Sequence, residues 1–139
     1  MTPTRKLRTT DYRHLLEVRT GLRRFLHWSE EQARSAGLTA AQHQLLLAVR
    51  GHPGDRPPTI GELADHLFLQ HHGAVQLVDR AAAAGLVTRE RDAGDHRVVH
   101  VHLTPEGGRI LESLAARHLD ELRRVGLAFG EISAGIEER

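Results

Sequence analysis

Histidine is the residue type of this chain that first suggests a chemical function. The chain has 139 residues, of which 11 are histidine and none is cysteine. His71 and His72 are adjacent, and His100 and His102 would share one face of a strand. Imidazole binds zinc and exchanges protons near neutral pH. A zinc-responsive protein is therefore one hypothesis, although a zinc site normally needs three or four ligands and His-x-His supplies only two.

Motifs for other kinds of chemistry are missing from the sequence. It contains no Gly-x-Ser-x-Gly, phosphate loop, His-Glu-x-x-His or dinucleotide fingerprint, so we expect no enzyme, no catalytic residue and no cofactor. The absence of cysteine excludes disulfide scaffolds, zinc ribbons and thiol chemistry. No apolar run is long enough to span a membrane, and no apolar segment follows the basic N-terminus as in a secretion signal. A cytoplasmic protein without a membrane partner is the expectation.

The charge of the chain is small overall and unevenly distributed. With 19 Lys and Arg against 18 Asp and Glu, the formal net charge is +1, which is weak for a DNA-binding protein. Residues 1–24 hold seven basic and two acidic residues, a balance of +5, whereas residues 59–104 hold four and six, a balance of −2. The sequence therefore predicts a basic N-terminal arm, which either is a solvated terminus or contacts an anionic partner.

Helical spacing of apolar residues dominates the chain. The pattern predicts helices over about residues 11–36, 40–50, 60–67 and 70–84, and from residue 105 towards the C-terminus. Thr39 with Gln42, and Thr59 with Glu62, form capping boxes that begin two of them. Gly126 and Gly130 predict a break in the last helix, followed by a short final one.

Two short strands lie between the fourth and the last helix. They are predicted over 86–91 and 97–103, around a glycine-containing turn at 92–95. The alternation in the second strand predicts that Arg97, Val99, Val101 and Leu103 face the core, and that His96, Val98, His100 and His102 face outward. The sequence thus predicts a mainly α fold with a small β-hairpin.

This order of elements is that of a winged helix-turn-helix. In that fold the second helix of the pair enters the major groove, and the hairpin forms a wing beside it. The outward face of the fourth helix offers His72, Gln76 and Arg80, which can donate to base edges or phosphates. The pattern therefore favours binding to double-stranded DNA, and the alternative is an unrelated small α+β domain with a hairpin.

Several motifs at the ends of these elements resemble the MarR family of transcription regulators. They are Leu38-Thr39 with Gln42 and Leu46-Leu47, Ile60-Gly-Glu-Leu-Ala64, Val78-Asp79-Arg80 with Gly85-Leu86-Val87, and Asp95-His96-Arg97 followed by Leu103-Thr104-Pro105-Glu106-Gly107. The Asp-x-Arg followed by Leu-Thr-x-x-Gly is the most specific part. With the order of the helices, the resemblance covers essentially the whole chain. It implies a sequence-specific regulator, in particular a repressor that a small ligand releases from DNA.

The resemblance also implies a homodimer built from a single domain over residues 1–139. Residues of about 11–37 and 105–139 would form dimerisation helices, and about 38–104 would form the winged-helix DNA-binding lobe. The patterning agrees, because both terminal helices are amphipathic and a two-fold interface would bury both apolar faces. A helical layer within one chain is the alternative.

The hairpin supplies one group of candidate DNA contacts. By resemblance, Arg97 reaches the minor groove and Asp95 positions the wing, while many family members carry a second arginine where this chain has His96. Arg91 is a further candidate at the end of the first strand. Two alternatives stay open, since the strand alternation places Arg97 inward and Asp95 is also a common turn former.

The fourth helix supplies the other group, His71, His72, Gln76 and Arg80. Arg80 can instead pair with a carboxylate and brace the wing. Histidine adds a separate hypothesis about pH, because protonation near a pKa of about 6.5 would make the DNA-facing segment cationic. The histidines concerned are His66, His71, His72, His96, His100 and His102.

An effector site is the last expectation drawn from the resemblance. Similar proteins bind small phenolic or lipophilic ligands between the dimer helices and the DNA-binding lobe, and the candidates here are Arg24, Trp28, His43 and His118. A tryptophan on a helix is also often a core residue. Two other functions remain as alternatives, a zinc-responsive regulator of the same fold and a winged-helix module that contacts only proteins.

Overall fold

The computed structural model describes residues 6–137. In this part of the chain five α-helices and one two-stranded hairpin follow each other in the predicted order, which confirms the predicted fold class. The helices are α1 (Thr9–Ser35), α2 (Ala40–Gly51), α3 (Ile60–Leu67), α4 (His71–Ala83) and α5 (Pro105–Glu137), and the strands are β1 (Val87–Arg91) and β2 (Val99–Leu103). The first five residues of the predicted basic arm, and residues 138–139, lie outside the described residues.

The described residues form two compact units, which we call the core unit (32–115) and the helical unit (6–31 with 116–137). Every apolar side chain that is buried in the described structure belongs to the core unit. Leu45, Leu46, Leu63, Val78 and Leu114 are fully buried there. These side chains come from α2, α3, α4 and α5, so the helix-turn-helix is built on a continuous core.

Capping boxes begin α2 and α3, as the sequence predicts. The Thr39 hydroxyl accepts a hydrogen bond from the Gln42 backbone N–H at 3.1 Å, and the Gln42 side chain accepts one from the Thr39 N–H at 3.0 Å. Thr59 and Glu62 repeat the arrangement, with both distances 3.1 Å. The α3 helix ends at Phe68, whose left-handed backbone (φ 54°) begins the turn into α4.

The wing is an antiparallel hairpin that is tied to the residues preceding α3. Val87 pairs with Leu103, and Arg91 with Val99. The Val101 N–H donates to the Pro58 carbonyl at 2.9 Å, so β2 lies between β1 and this segment. The second strand begins at residue 99, later than predicted, because residues 92–98 form the turn. Arg97 therefore lies outside the strand, and its predicted inward orientation is wrong.

The α5 helix begins in close contact with the base of the hairpin. The Thr104 hydroxyl accepts from the Gly107 N–H at 3.0 Å and donates to the Gly85 carbonyl at 2.7 Å. Gly107 is buried, and a Cβ atom there would overlap the Leu86 carbonyl group. This contact gives the Leu-Thr-x-x-Gly motif a physical reason, since only glycine lets the helix approach the backbone so closely.

The predicted break in the last helix is wrong, because α5 continues through Gly126 and Gly130 to Glu137. Each glycine costs about 1 kcal/mol relative to alanine in a helix interior, but it keeps its backbone N–H and so does not interrupt the hydrogen bonds. Within residues 6–137, every helix is too short or too polar to cross a membrane.

Candidate nucleic-acid interface

The α4 helix presents a polar face opposite its buried face. Ala74, Val78 and Ala81 are buried in the core unit. His72, Gln76 and Arg80 follow one another at intervals of four residues and are exposed, as is His71 at the first position. Because residues four apart lie along one side of a helix, these polar groups form a stripe that can donate to base edges.

The contact that braces the wing against α4 is made by Asp79, the residue before Arg80. Asp79 accepts a short hydrogen bond from the Arg89 guanidinium, which links α4 to β1. Arg80 itself makes no ion pair with a carboxylate in the described part of the chain, and it is exposed. Of the two roles open to Arg80, bracing the wing therefore belongs to Asp79.

At the tip of the wing, Asp95 holds the side chain of Arg97. One Asp95 carboxylate oxygen accepts from the Arg97 backbone N–H at 3.0 Å and from its Nε at 3.1 Å, and the other accepts from Nη2 at 3.2 Å. The Arg97 guanidinium and backbone N–H lower the pKa of the Asp95 carboxyl group. The Arg97 side chain is 91% exposed, so Asp95 both shapes the turn and presents a cation to solvent.

Asp92 and His100 hold the base of the same turn. One Asp92 oxygen, Oδ2, accepts from the backbone N–H groups of Gly94 and Asp95 at 2.9 and 3.0 Å, and the other, Oδ1, lies 2.8 Å from His100 Nε2. His100 Nδ1 lies 2.8 Å from the Pro57 carbonyl oxygen. The His100 hydrogen bond, followed by those of the two backbone groups, lowers the pKa of Asp92 to about 2.

This pair was not predicted, because the alternation in β2 predicts an outward-facing His100 and the turn pattern gave Asp92 no partner. The His100 side chain is in fact only 14% exposed. An aspartate at the start of the turn with a histidine eight residues later is a signal in the sequence. Its meaning depends on the hairpin register, however, which a seven-residue turn does not fix.

The remaining DNA-facing candidates stay exposed on the surface. Arg91 ends β1, and His96 lies at the tip of the turn. His102 is partly exposed, and its Nε2 donates to the Glu90 carboxylate at 2.9 Å. In residues 6–137 no three histidine, aspartate or glutamate side chains are placed to hold a metal ion, so the zinc-responsive alternative gains no support from the geometry.

Three of the four effector-site candidates lie in the helical unit. The Trp28 and His118 rings are 4.8 Å apart, and Phe25 contacts both of them. The Ser29 hydroxyl lies 2.7 Å from His118 Nε2. Phe25 was not among the predicted site residues, although its position one helical turn before Trp28 indicates the contact.

The same unit contains a groove of about 530 Å³ between α1 and α5. Arg24 and Trp28 line it, together with Phe25, Glu121 and Val125. His43, in contrast, is buried in α2 of the core unit. The burial of His43 favours a structural role for this side chain, whereas Arg24 and Trp28 share one groove.

Comparison with known proteins gives two curated relatives. An uncharacterized HTH-type transcriptional regulator of Bacillus subtilis, YsmB, is 36% identical over 81 residues, covering 58% of this chain and 56% of the relative. The HTH-type transcriptional repressor NicR of Pseudomonas putida is 33% identical over 104 residues, covering 73% of this chain and 64% of the relative. The matches therefore span less than two thirds of each relative's length. By name both are transcription regulators, which agrees with the expectation that the chain is not an enzyme.

The fold and the exposed α4 face together define a winged helix-turn-helix protein. Among solved structures, AbsC of Streptomyces coelicolor, a MarR family transcriptional regulator, superimposes with a TM-score of 0.73 at 25% identity, covering 90% of this chain and 84% of AbsC. Residues 36–98 match the family model described as the MarR family. These matches confirm the resemblance to the MarR family that is seen in the motifs of this chain.

Proposed function

We propose that this protein is a sequence-specific DNA-binding transcription regulator that acts in the cytoplasm as a homodimer. The observation that carries the proposal is the pairing of two exposed donor sets on one compact unit. Gln76 and Arg80 lie along the polar face of α4, and Asp95 presents Arg97 from the wing. A helix face of this kind suits the major groove, and an exposed arginine suits the narrow minor groove.

The division of labour between these two donor sets follows from their chemistry. Gln76 has an amide that can bind adenine in a bidentate manner, so it would contribute to sequence preference. Arg97 carries a fixed positive charge on a turn, so it would contribute to affinity for DNA of any sequence and to reading groove shape. His71, His72, Arg91 and His96 are exposed and available to phosphate or bases in the same interface.

The homodimer is supported by the surface of the helical unit. Large apolar side chains are exposed on both of its helices and just before α1: Leu7, Tyr12, Leu15, Leu16, Leu22, Leu26, Leu119 and Leu122. Monomeric proteins rarely expose so many such side chains together. A two-fold interface between the terminal helices of two copies would cover them, and two copies would present two α4 helices to two half-sites.

The groove beside Trp28 is the best candidate for a small, apolar effector. The exposed surface of its lining is mostly apolar, and its charged groups, which can orient a ligand, are Glu17, Arg24, Glu121 and Arg124. We propose that such a ligand releases the protein from DNA, which makes the protein a repressor, as the relative NicR is by name. A ligand in this groove should quench the fluorescence of Trp28, and release from DNA without quenching would place the effector elsewhere.

Fluorescence anisotropy on a labelled duplex from upstream of the gene, compared with a scrambled duplex, tests the DNA-binding proposal. Arg97→Ala should weaken binding to both duplexes by a similar factor. It should also reduce the dependence of the affinity on salt concentration, because one counterion-releasing contact is lost. Gln76→Ala should remove about 1–3 kcal/mol of preference for the upstream duplex and leave the scrambled one nearly unchanged.

Gln44→Ala is the matched control, since Gln44 is an exposed glutamine on α2. It should leave both affinities as in the wild type. Equal losses on both duplexes for Gln76→Ala would contradict the proposed role of α4, and an absence of binding to either duplex at low salt would contradict DNA binding itself.

A further inference from the structure

His100 is hydrogen-bonded on both ring nitrogens to groups that can only accept. Nε2 faces a carboxylate oxygen of Asp92, and Nδ1 faces the carbonyl oxygen of Pro57, each at 2.8 Å. A neutral imidazole has one N–H and one lone pair, so it can satisfy only one of these acceptors. Both bonds exist together only when the ring is the doubly protonated imidazolium.

The two bonds join three segments of the core unit. Asp92 begins the turn of the wing, His100 lies in the second strand of the hairpin, and Pro57 belongs to the segment that leads into α3. The turn continues from Asp92 to Asp95 through the Asp95 N–H, and Asp95 in turn holds the Arg97 guanidinium. The imidazolium therefore adds a side-chain link between the segment that leads into α3 and the turn that presents Arg97.

We propose that His100 is a positioning residue, and that one proton on its ring clamps the wing to the helix-turn-helix. When the proton leaves, one of the two bonds is lost and the neutral lone pair faces an oxygen atom. His100 then loses its hydrogen bond either to the turn aspartate or to the Pro57 carbonyl, while the backbone bond from Val101 to Pro58 still joins β2 to this segment. The consequence for DNA affinity rests on the DNA-binding function proposed above, whereas the clamp itself is a property of the free protein.

The charges around His100 agree with a ring that keeps its proton. Asp92, from the wing turn, and then the Pro57 carbonyl raise the pKa of His100, and Arg56, from the preceding loop, opposes this. The pKa of Glu62 in α3 is lowered mainly by the Thr59 backbone N–H. The nearby His52 and His100 lower it further. Since the pKa of His100 is raised, the clamp is closed at low pH and opens as the pH rises through this raised pKa.

Two other histidine contacts of the core unit, those of His52 and of His102, do not need an imidazolium. His52 lies between His66, at 3.0 Å from its Nδ1, and Glu62, at 3.1 Å from its Nε2. One neutral tautomer of each ring satisfies this chain, because His66 can donate to His52 and His52 to Glu62. In the described part of the chain His102 faces one acceptor, Glu90, and a neutral ring donates to it equally well. His102 is therefore a matched control, a histidine on the same strand with a single acceptor.

The Asp92→Asn variant should keep both hydrogen bonds of His100 without the second ring proton. Both turn N–H groups bond to one Asp92 oxygen, and His100 bonds to the other. An asparagine can place its carbonyl oxygen on the turn and its NH₂ group against His100 Nε2. A neutral His100 then accepts from Asn and donates to Pro57, so the clamp is kept without the extra proton.

Proton NMR of the full-length protein without DNA tests the clamp directly. In the wild type, the His100 ring should titrate with a pKa above the ordinary value of about 6.5, and the Gly94 and Asp95 amide signals should shift with the same midpoint. In Asp92→Asn the midpoint should fall below that of the wild type and the two amide signals should no longer follow pH. His102→Gln should behave as the wild type. A His100 pKa at the ordinary value would overturn the clamp, as would Gly94 and Asp95 amide signals that do not shift when His100 titrates. Both measurements use the wild-type protein, so they do not depend on whether a variant folds.

DNA affinity at fixed salt, from pH 6 to pH 9, tests its consequence. Wild-type affinity should fall above the His100 midpoint, by up to about tenfold per pH unit, since one proton is linked to binding. The Asp92→Asn profile should be flatter in that range, and the His102→Gln profile unchanged. If the wild-type affinity instead changes with a midpoint near pH 6.5, and Asp92→Asn has the same midpoint, general protonation of surface histidines explains the profile. That result would overturn the role of His100 in binding. If no DNA is bound at any pH, the DNA-binding proposal fails, while the NMR titration still decides the clamp.

Discussion

The core unit and the helical unit of this chain differ in what they do with their apolar residues. In the core unit, leucines such as Leu45, Leu46 and Leu63 are completely buried. In the helical unit no buried apolar side chain is found among the described residues, and leucines such as Leu15 and Leu22 face solvent. One chain therefore completes the apolar core of the core unit, whereas the terminal helices keep an exposed apolar surface, as the proposed dimer requires.

The polar residues of the two units differ in the same sense. In the core unit, buried or half-buried polar groups are held by specific partners, as His100 is by Asp92 and Pro57. In the helical unit, ion pairs such as Arg124 with Glu121 follow one helix surface and are solvent-exposed on the arginine side. Exposed pairs of this kind contribute little to stability, which agrees with the proposed apolar contact between the terminal helices of two copies.

The largest predicted effect breaks the helical unit. Leu22→Glu places a charge in the apolar surface, and both copies of a dimer would carry it. Burial of one leucine is worth about 1.5–3 kcal/mol, so the loss over two copies is about 3–6 kcal/mol of association free energy. Sedimentation velocity should show the variant shifted to single chains.

Leu47→Glu is the control for this prediction, because Leu47 is as exposed (53%) as Leu22 (50%) but belongs to the core unit. It should leave association unchanged. If Leu47→Glu dissociates the protein and Leu22→Glu does not, the apolar surface of the helical unit is not the interface.

A smaller effect is predicted for a substitution that lowers the stability of the core unit. Gly107→Ala adds a Cβ where the Leu86 carbonyl group lies, so helix and hairpin must move apart. Overpacking of this kind costs about 1–3 kcal/mol, which chemical denaturation followed by circular dichroism can measure.

Gly108→Ala is the matched control for Gly107→Ala, since no atom lies within 4 Å of its added Cβ and it also lies in α5. It should raise stability by up to about 1 kcal/mol, because alanine favours the helix. Equal effects of the two alanines would mean that the contact with Leu86 does not limit the packing.

The smallest predicted effect is a gain in stability of the core unit, at the turn between α3 and α4. Phe68 has a left-handed backbone and is 97% exposed, so its ring contributes little to the core unit. Phe68→Asn should raise the free energy of unfolding by up to about 1 kcal/mol, because asparagine tolerates this backbone conformation better. A lower melting temperature would show that the Phe68 ring has a contact that the core unit of one chain does not contain.

Much of the fold could be predicted because its signals are local. The capping threonines, Gly37 with its positive φ (82°), and the periodic leucines fix the helices within a few residues. The length of the last helix could not be predicted in this way, since Gly126 and Gly130 weaken a helix without forbidding it.

The site was harder to predict because its contacts join distant residues. The exposed positions on α4 follow from a period of four residues. The bond from His100 to Pro57 spans 43 residues, and the brace between Asp79 and Arg89 links a helix to a strand. Such pairs depend on register and on tertiary packing, so a pattern in one segment does not contain them.

The central claim is that two chains, joined by their helical units, place two core units on one DNA site. The most direct measurement is sedimentation velocity of the wild-type protein with and without a labelled duplex from upstream of its gene. The account predicts a free particle with twice the mass of one chain, and a saturated complex of two chains per duplex. A single chain that saturates the duplex with undiminished affinity would contradict it.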